Sequence, residues 1–387
     1  MPESVDIAVL GGGPVGCTLA LALRSGGLTV AVIERAPASR ANAPSFRPIA
    51  LSYGSRIILE RVGAWDGLSA TPIETIHASQ AGCFGRTVLT AADALVPALG
   101  YVVDYRALAA SLAKRLQTAP EARVLRGTTV RNTRVLDGEV EVEIERDGAE
   151  ASLRARCVVH AEGKADDARE KRYGYDAVVG LAAVEPAARS TAFERFTPEG
   201  PLAMLPMAGA YAIVWSTGPE RAAELARCTP EAFISELSRV AGPRPGHFLS
   251  VSERFVQPLA LRVRDPRIAV REVFVGNAAQ TLHPVAGQGL NLGLRDAWDL
   301  AGTLRDASDP GEGALLRRFE RIRRLDSFAT IRITDLLAGA FTGTNHLAAL
   351  ARGAAMTALD ALPPARTFFA RRMMFGPGEA PILSGRR

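Results

Sequence analysis

The chain has 387 residues, of which 48% are hydrophobic, and its formal net charge is +5. This length and apolar content suffice for two packed units with a buried core. The arginines are scattered along the whole chain and are not interleaved with aromatic residues, so we do not expect nucleic acid as a partner. The four cysteines form no C-x-x-C pair, which excludes the usual zinc ribbons and dithiol redox motifs and favours a reducing compartment. No metal site is expected.

Strand-like sequence begins almost at once, and no charged-then-apolar leader precedes Asp6, so no signal peptide is predicted. No apolar run approaches the roughly 20 residues that are needed to span a bilayer. We therefore expect a cytoplasmic protein that is soluble or, at most, peripheral on the inner membrane.

The first motif is the stretch VDIAVLGGGPVGCTLALALRSGGLTVAVIER, which predicts a strand, a glycine turn, a helix and a second strand. Gly11, Gly13 and Gly16 satisfy the pattern G-x-G-x-x-G. The first glycine permits the tight turn, the second lets the backbone approach a pyrophosphate, and the third packs the helix on the sheet. Pro14 falls in the first helical turn, where its missing N–H costs little.

The second strand of this unit, Leu28 to Ile33, ends on Glu34, which lies 18 residues beyond Gly16. An acid at this place can accept hydrogen bonds from the ribose of an adenosine. The strand, turn, helix and acid together predict binding of an adenine dinucleotide, but they do not separate FAD from NAD(P).

A second glycine cluster lies far along the chain, in EVFVGNAAQTLHPVAGQGLNLGLRDAWDLAGTL. Glu272 to Val275 is predicted as a strand that delivers Gly276 and Asn277 to its carboxyl end. Apolar residues then recur with helical spacing from Leu290. The Gly287-Gln288-Gly289 loop is therefore expected at a helix N-terminus, whose free N–H groups and positive dipole favour an anion.

Two separate glycine loops suggest a cofactor longer than NAD(P), which a single βαβ unit already binds. We predict FAD, with its adenosine end at Gly11–Gly16 and its ribityl and isoalloxazine end at Gly276–Asn291. The helix N-terminus beside the second loop would stabilise the negative charge that reduced isoalloxazine carries at its N1–C2 edge.

These two clusters, together with RPIALSYGSRIILERVGAW, LGYVVDYRALAASLAKRL and TAFERFTPEGPLAMLPM, make the chain resemble the class A flavoprotein monooxygenases. More narrowly, it resembles the ubiquinone-biosynthesis hydroxylases. The motif GNAAQTLHP is similar to that of the 2-polyprenyl-6-methoxyphenol hydroxylase branch. The resemblance implies an α/β (α+β) fold of the p-hydroxybenzoate hydroxylase type. That fold has a Rossmann-type FAD-binding domain, an inserted antiparallel-sheet substrate domain and C-terminal helices.

The chain departs from this family pattern at three residues. The family commonly has an aspartate and a histidine where this chain has Asn277 and Gln280. The amide oxygen of Asn277 can still accept from a ribityl hydroxyl. The family's middle motif, usually Ala-Asp-Gly, carries Glu162 in place of the aspartate, and the segment before Tyr175 is short. This alteration puts the efficiency of flavin reduction by NAD(P)H in doubt.

Five segments are expected to alternate between the two domains, and a sixth forms the C-terminal tail. Residues 1–75, 100–176 and 267–330 are assigned to the FAD-binding domain, residues 76–99 and 177–266 to the substrate domain, and residues 331–387 to a helical tail. Within the second FAD segment, Asp137-Gly138 and Asp147-Gly148 mark hairpin turns.

The resemblance implies an aromatic hydroxylase in ubiquinone biosynthesis. In that cycle NADPH or NADH transiently reduces FAD, O2 forms a flavin C4a-hydroperoxide, and this electrophile hydroxylates a prenylated methoxyphenol. The flavin performs the oxidation, while the protein positions the ring and excludes water. Two alternatives remain open: an FAD-dependent reductase or dehydrogenase of the same fold, and a catalytically weak flavin-binding subunit of a biosynthetic assembly. The protein partner expected for the chain is either a ubiquinone-biosynthesis assembly or a further copy of itself in a homo-oligomer.

The resemblance and the motifs together give one set of residues that are expected to contact the cofactor. They are Gly11, Gly13, Pro14, Val15, Gly16, Glu34, Arg35, Arg47, Arg106, Val130, Glu162, Gly163, Gly276, Asn277, Pro284, Gly287, Gln288, Gly289, Leu290 and Asn291. For the two family arginines, Arg47 and Arg106, the alternative is a solvated helix face. His283 is the candidate for deprotonating a phenol, although a histidine in a hydrogen-bonded loop is more often structural.

The substrate side is expected to be lined or supported by apolar residues of predicted strands, which are Phe193, Phe196, Met204, Pro206, Tyr211 and Trp215. The alternative is that they are ordinary core residues. The tail is expected to form helices that end at Pro363-Pro364 and to continue as a basic, apolar stretch, LPPARTFFARRMMFGPG. This stretch suits either an anionic membrane surface or packing on the enzyme's own body.

Overall fold

The computed structural model describes residues 3–37, 47–119, 122–163, 168–282, 287–340 and 346–377. The strands formed by these residues are, in chain order, β1 (Glu3–Leu10), β2 (Val30–Glu34), β3 (Pro48–Ser52), β4 (Thr71–Ile73), β5 (Thr75–Gln80), β6 (Arg86–Thr90), β7 (Gly100–Asp104), β8 (Ala122–Arg126), β9 (Thr128–Val135), β10 (Val140–Arg146), β11 (Ala149–His160), β12 (Arg169–Glu185), β13 (Thr191–Thr197), β14 (Gly200–Met207), β15 (Ala210–Thr217), β16 (His247–Val251), β17 (Phe255–Val263), β18 (Ile268–Ala269), β19 (Glu272–Phe274) and β20 (Gln280–Thr281). The α-helices are α1 (Pro14–Leu23), α2 (Tyr53–Arg61), α3 (Tyr105–Gln117), α4 (Pro219–Arg227), α5 (Pro230–Ala241), α6 (Gln288–Leu304), α7 (Gly313–Ala340), α8 (His346–Ala361) and α9 (Pro363–Phe375).

A largely parallel sheet carries both glycine clusters. Its strands run in the order β18-β19-β11-β1-β2-β8, and β1, β2, β8, β11 and β19 are parallel to one another. The carboxyl ends of β1, β2 and β19 therefore meet at one edge. Gly11 follows β1, Glu34 is the last residue of β2, and Gly276 lies two residues after β19. The sheet topology therefore brings the two distant motifs together.

Both faces of this sheet are covered. Helices α1, α3 and α6 pack on one face, where Val9 and Val32 of the sheet meet Leu19 and Leu294 of the helices in one buried core. The β9–β10 hairpin, which pairs with β11, covers the other face. The turns of this region contain Gly138, Asp147 and Gly148, all at positive φ, and the two predicted hairpins are confirmed.

A second sheet of nine strands lies beyond this edge, in the order β20-β17-β12-β15-β14-β13-β5-β6, with β16 paired to β12. It is antiparallel except for the β13–β5 pair. Helices α4 and α5 pack on one of its faces around Trp215 and Phe233. The predicted fold class is confirmed. The segment boundaries stay a prediction. Strand β12 runs across one of them, because it begins at Arg169, before the predicted segment 177–266.

The C-terminal region differs from the prediction at its proline pair. Pro363-Pro364 was expected to end the helices, but Pro363 begins α9, which continues to Phe375. Proline is well tolerated at the first helical position because the N–H that it lacks has no partner within the helix there. Met374 and Phe375 of α9 are buried against Leu89 and Leu99, so that much of the basic, apolar stretch packs on the protein's own body.

Candidate functional site

One continuous cavity of about 1780 Å³ lies between the two sheets and the C-terminal helices. The structure brings most of the predicted cofactor residues together in its wall. Those that line it are Gly11, Gly13, Pro14, Val15, Glu34, Arg35, Arg47, Val130, Glu162, Gly163, Gly276, Asn277, Gly287, Gln288, Gly289, Leu290 and Asn291.

The first glycine cluster has the geometry that its spacing predicts. A Cβ atom on Gly11, where φ is +108°, would lie 2.7 Å from the carbonyl oxygen of Ala161. A Cβ atom on Gly16 would lie 2.0 Å from the carbonyl oxygen of Gly11, so Gly16 is a packing residue and is not part of the cavity lining. Gly13 is the N-cap of α1 and faces the cavity, with no side chain capping the helix.

Glu34 is held rigidly where β2 ends. Its carboxylate accepts a hydrogen bond from the Gly12 N–H at 2.7 Å and another from the Ala36 N–H at 2.7 Å. The carboxylate is thus fixed beside the glycine turn and lines the cavity. That it binds a ribose stays a prediction.

The glycines of the second cluster allow close packing and an open helix end. A Cβ atom on Gly293 would lie 2.8 Å from a methyl carbon of Val15 and 3.1 Å from the Gly276 Cα, so helix α6 can cross α1 only at a glycine. Gly287, in the left-handed conformation with φ +59°, is the N-cap of α6, and no side chain of the described residues caps this helix. Two uncapped helix N-termini therefore border the same cavity, an arrangement that fits a cofactor with anionic groups at two places.

Asn291 lines the cavity, but its amide is fully engaged by the protein. Its Oδ1 accepts from the Ser52 N–H and the Ser55 hydroxyl, at 2.8 and 2.7 Å, and its Nδ2 donates to the carbonyl oxygens of Ala50 and Gly287, at 2.9 and 2.6 Å. Asn291 thus joins β3 and α2 to the second loop. Three of these partners, Ala50, Ser52 and Ser55, lie more than 230 residues away, and no local sequence signal indicates them.

The two family arginines have different positions. Arg47 lines the cavity and stacks over the Tyr105 ring, with its guanidinium carbon 4.7 Å from the ring centroid. Tyr105 lines the cavity and Arg106 is not part of its wall, because successive helical residues point about 100° apart. A contact of Arg106 with the cofactor stays a prediction. The Arg106 N–H is bound by the N-cap residue Asp104 at 2.8 Å.

The altered middle motif contains a histidine between two acids. Nδ1 of His160 lies 3.2 Å from Glu162, its Nε2 lies 3.2 Å from Glu272, and the ring stacks on Phe274 with 4.3 Å between centroids. Burial opposes protonation of His160, but the hydrogen bonds to Glu162 and Glu272 outweigh it, so that the pKa of His160 is raised. Glu162, which lines the cavity, is thus hydrogen-bonded to a histidine whose pKa is raised.

The hydrogen bonds of His160 to Glu162 and Glu272 make the free energy of unfolding depend on pH. Since the native pKa of His160 lies above its ordinary value of 6.5, its contribution is fully present below pH 6.5 and is lost as the pH rises through the native pKa. We expect the free energy of unfolding of the wild type, measured with urea at about pH 6 to 9, to fall relative to that of His160→Asn. His247→Asn, at an exposed position, is the control. Parallel pH curves for the wild type and His160→Asn would refute the expectation.

A buried network of charged and polar side chains is hydrogen-bonded to the second glycine cluster at Gly276. Asp296, which is wholly buried, accepts from the Gly276 N–H at 3.2 Å, from Gln280 Nε2 at 2.7 Å and from Arg323 Nε at 2.8 Å. Gln280, at the family's histidine position, therefore serves this network. The other members in the described chain are Arg267, Arg295, Asp299, Asp326, Ser327 and Thr330.

The predicted substrate residues are divided between the two faces of the nine-stranded sheet. Phe196 lines the cavity. Phe193 also borders it, but Phe193 is paired with Met204 and packs edge-on against Tyr211, so its ring lies on the face beneath α4 and α5. Met204, Tyr211 and Trp215 instead belong to the core beneath α4 and α5, and Pro206, although buried, is not part of the cavity lining. These four side chains point away from the cavity, because alternate strand residues point to opposite faces. That they line or support the substrate side stays a prediction. The cavity face carries Ala203, Leu205 and Val214.

The C-terminal helices close the cavity on its apolar side. The residues that they contribute to its wall are Met356, Leu359, Phe369, Ala370, Met373 and Met374. Phe368 of α9 is 72% exposed, so membrane contact through this helix stays a prediction. Among the described helices, none is both long and apolar enough to cross a membrane.

Two predicted residues, His283 and Pro284, lie outside the described residues. The described part of the chain contains no group of three or more His, Cys, Asp or Glu side chains that could hold a metal ion. Cys17 and Cys157 are buried, and burial raises the pKa of each thiol to about 12, so neither is a reactive thiolate at neutral pH.

Comparison with known proteins gives one family and several relatives over nearly the full chain. Residues 4–333 match the model of a family described as FAD binding domain. The chain is 34% identical to ubiquinone hydroxylase UbiL of Rhodospirillum rubrum, over 98% of this chain and 92% of the relative. It is 29% identical to 3-demethoxyubiquinol 3-hydroxylase of Escherichia coli, over 88% of this chain and 90% of the relative.

A solved structure with the same fold is p-nitrophenol 4-monooxygenase PnpA from Pseudomonas putida. Its TM-score is 0.80 at 18% sequence identity, and the match covers 97% of this chain and 100% of that chain. At this level of identity the likeness concerns the fold alone.

Proposed function

The chain belongs to the FAD-binding-domain family of flavoprotein hydroxylases, and on this premise we propose that it hydroxylates a prenylated methoxyphenol in ubiquinone biosynthesis, with O2 as co-substrate and NAD(P)H as reductant. The predictions of the family, of FAD as cofactor and of an FAD-dependent aromatic hydroxylase are confirmed. The particular phenol, the reductant and the course of the reaction are our proposal.

The continuity of the cavity carries this proposal. It extends from the glycine turn at Gly11 past the second loop at Gly287 to an apolar end formed by the nine-stranded sheet and by α8 and α9. The apolar end, with Leu89, Leu205 and Met373 in its wall, is suited to a prenyl chain and a substituted ring.

The residues present fit FAD at several points. The uncapped N-terminus of α1 would hold the pyrophosphate, and the carboxylate of Glu34 would accept from the adenosine ribose. The N-terminus of α6 and the exposed side chain of Asn277 would bind the ribityl and isoalloxazine end. Bound FAD supplies the redox chemistry and the activation of oxygen. The apolar wall orients the phenol ring and excludes water from the reacting atoms.

The test is mass spectrometry of the product after FAD-loaded protein meets NADPH, ¹⁸O2 and a short-chain 2-prenyl-6-methoxyphenol. We expect one labelled oxygen atom in the product. No product despite reduction of the flavin by NADPH would favour a reductase or dehydrogenase. A bound flavin that stays oxidised would favour a catalytically weak flavin-binding subunit. The contact of Glu162 with His160 gives this alternative a physical basis.

A further inference from the structure

An acidic side chain faces the apolar end of the cavity. Glu194 lies in the middle of β13, where it is paired with Ala78 of β5 and Ala203 of β14. All three residues line the cavity. The Oε1 atom of Glu194 is buried and has no hydrogen-bond partner among the described residues.

Within the described part of the chain, the surroundings of Glu194 offer it no counter-charge. Its neighbours on this face of the sheet are Ile76 and Ala78 of β5 and Ala203 and Leu205 of β14, all apolar. Burial alone raises the pKa of the Glu194 carboxyl to about 7. Ionisable side chains elsewhere in the cavity wall, such as Tyr175, Asp176 and Arg262, do not contribute to this shift.

A buried carboxyl oxygen without a partner costs free energy, so its retention in a native protein calls for a functional explanation. The ring hydroxyl of a phenol has the complementary need, since it loses its water on entering an apolar cavity and requires an acceptor there. The amide of Asn291, another polar group in the wall, is already occupied by Ser52, Ser55 and two carbonyl oxygens.

We propose that the Glu194 carboxyl accepts a hydrogen bond from the ring hydroxyl of the substrate and so selects phenols over their ethers. The inference rests on the proposed function, because it names the recognition group for the substrate class given there. It assigns Glu194 a role in specificity that the sequence did not reveal, since a single acid in an apolar strand has the pattern of a solvated position.

Two substitutions separate this role from a structural one. Glu194→Leu removes the unpaired carboxyl and retains an apolar side chain, so we expect it to leave the free energy of unfolding unchanged or raised. Glu194→Gln retains an acceptor oxygen but cannot ionise. A structural role would instead make Glu194→Leu the less stable protein. Glu199→Gln, two residues beyond β13 at an exposed position, is the control.

The experiment measures binding by calorimetry to the FAD-loaded full chain, with a short-chain 2-prenyl-6-methoxyphenol and its O-methyl ether as probes. We expect the wild type and the Glu199→Gln control to bind the phenol about tenfold or more tighter than the ether. Glu194→Leu should lose this preference, and Glu194→Gln should retain part of it. Equal binding of the two probes by the wild type, or a preference that survives in Glu194→Leu, would overturn the role of Glu194.

Failure of the proposed function gives different results. If the wild type binds neither probe, the substrate class and the role of Glu194 fall together. If the preference depends on Glu194 but no labelled oxygen is incorporated in the ¹⁸O2 experiment, the hydroxylase proposal falls and the recognition of phenols by Glu194 stands.

Discussion

Replacing Arg323 by methionine is expected to lower the free energy of unfolding by about 3–5 kcal/mol, the cost of removing one partner from a buried ion network. The guanidinium donates to Asp296 at 2.8 Å and to Asp299 at 2.7 Å, and it lies 2.7 Å from Asp326. Asp296 and Asp326 are almost completely buried. The substitution therefore leaves buried carboxylates short of one positive charge, and no water can take its place without opening the core.

The loss should depend on pH in a definite direction. Burial tends to raise the pKa of Asp326, but Arg295 and Arg323 outweigh it and hold that pKa below its ordinary value of 3.8. The stability that this carboxylate contributes is present above that value and is lost as the pH falls through the lower native pKa. The stability deficit of Arg323→Met relative to the wild type should accordingly shrink under acid conditions, where Asp326 becomes neutral.

Urea unfolding at neutral and acid pH measures both effects, with the midpoint as the readout and the m-value as a check on two-state behaviour. Arg324→Met is a matched control, because Arg324 is the next residue of the same helix and is exposed. We expect it to change stability by less than about 0.5 kcal/mol. A neutral-pH loss below about 1 kcal/mol for Arg323→Met would contradict the expectation.

The parts of the site that the sequence predicted are those with local signals. The turn at Gly11–Gly16 and the acid at Glu34 have a fixed spacing, and the parallel strands carry Gly276 to the same edge. The buried network lacked such a signal. Asp296 and Arg323 are 27 residues apart on two helices, and an arginine among the many arginines of α7 looks like part of a solvated face.

The orientation of the substrate strands could not be predicted for a different reason. In LAMLPM of β14, apolar residues occupy both faces, because one face packs on α4 and α5 and the other borders the cavity. Because polar and apolar residues do not alternate along this strand, the sequence does not indicate which of the two alternating sets of side chains faces the cavity. Aromatic size favoured Tyr211 and Trp215, which lie in the core, over the small residues Ala203 and Val214, which border the space.

Substitutions at two glycines of the first cluster should separate loss of cofactor from loss of fold. In Gly16→Ala the new Cβ atom would lie 2.0 Å from the Gly11 carbonyl oxygen, so α1 must move away from β1. We expect a loss of about 1–3 kcal/mol or more in stability, together with loss of bound FAD. In Gly13→Ala the Cβ atom would have 3.9 Å to its nearest neighbour, the Tyr105 hydroxyl, and φ is −73°, which alanine adopts without strain.

Gly13→Ala should therefore keep the stability of the FAD-free protein and still lose at least about tenfold in FAD affinity, because its methyl group would occupy the space where a pyrophosphate approaches the backbone. The measurements are FAD bound per chain after dialysis and urea unfolding of the FAD-free protein. Gly302→Ala in α6, with open space around its Cβ position, should bind FAD normally and gain up to about 1 kcal/mol in stability. If Gly13→Ala retained FAD as the wild type does, the pyrophosphate would have to lie elsewhere than at the N-terminus of α1.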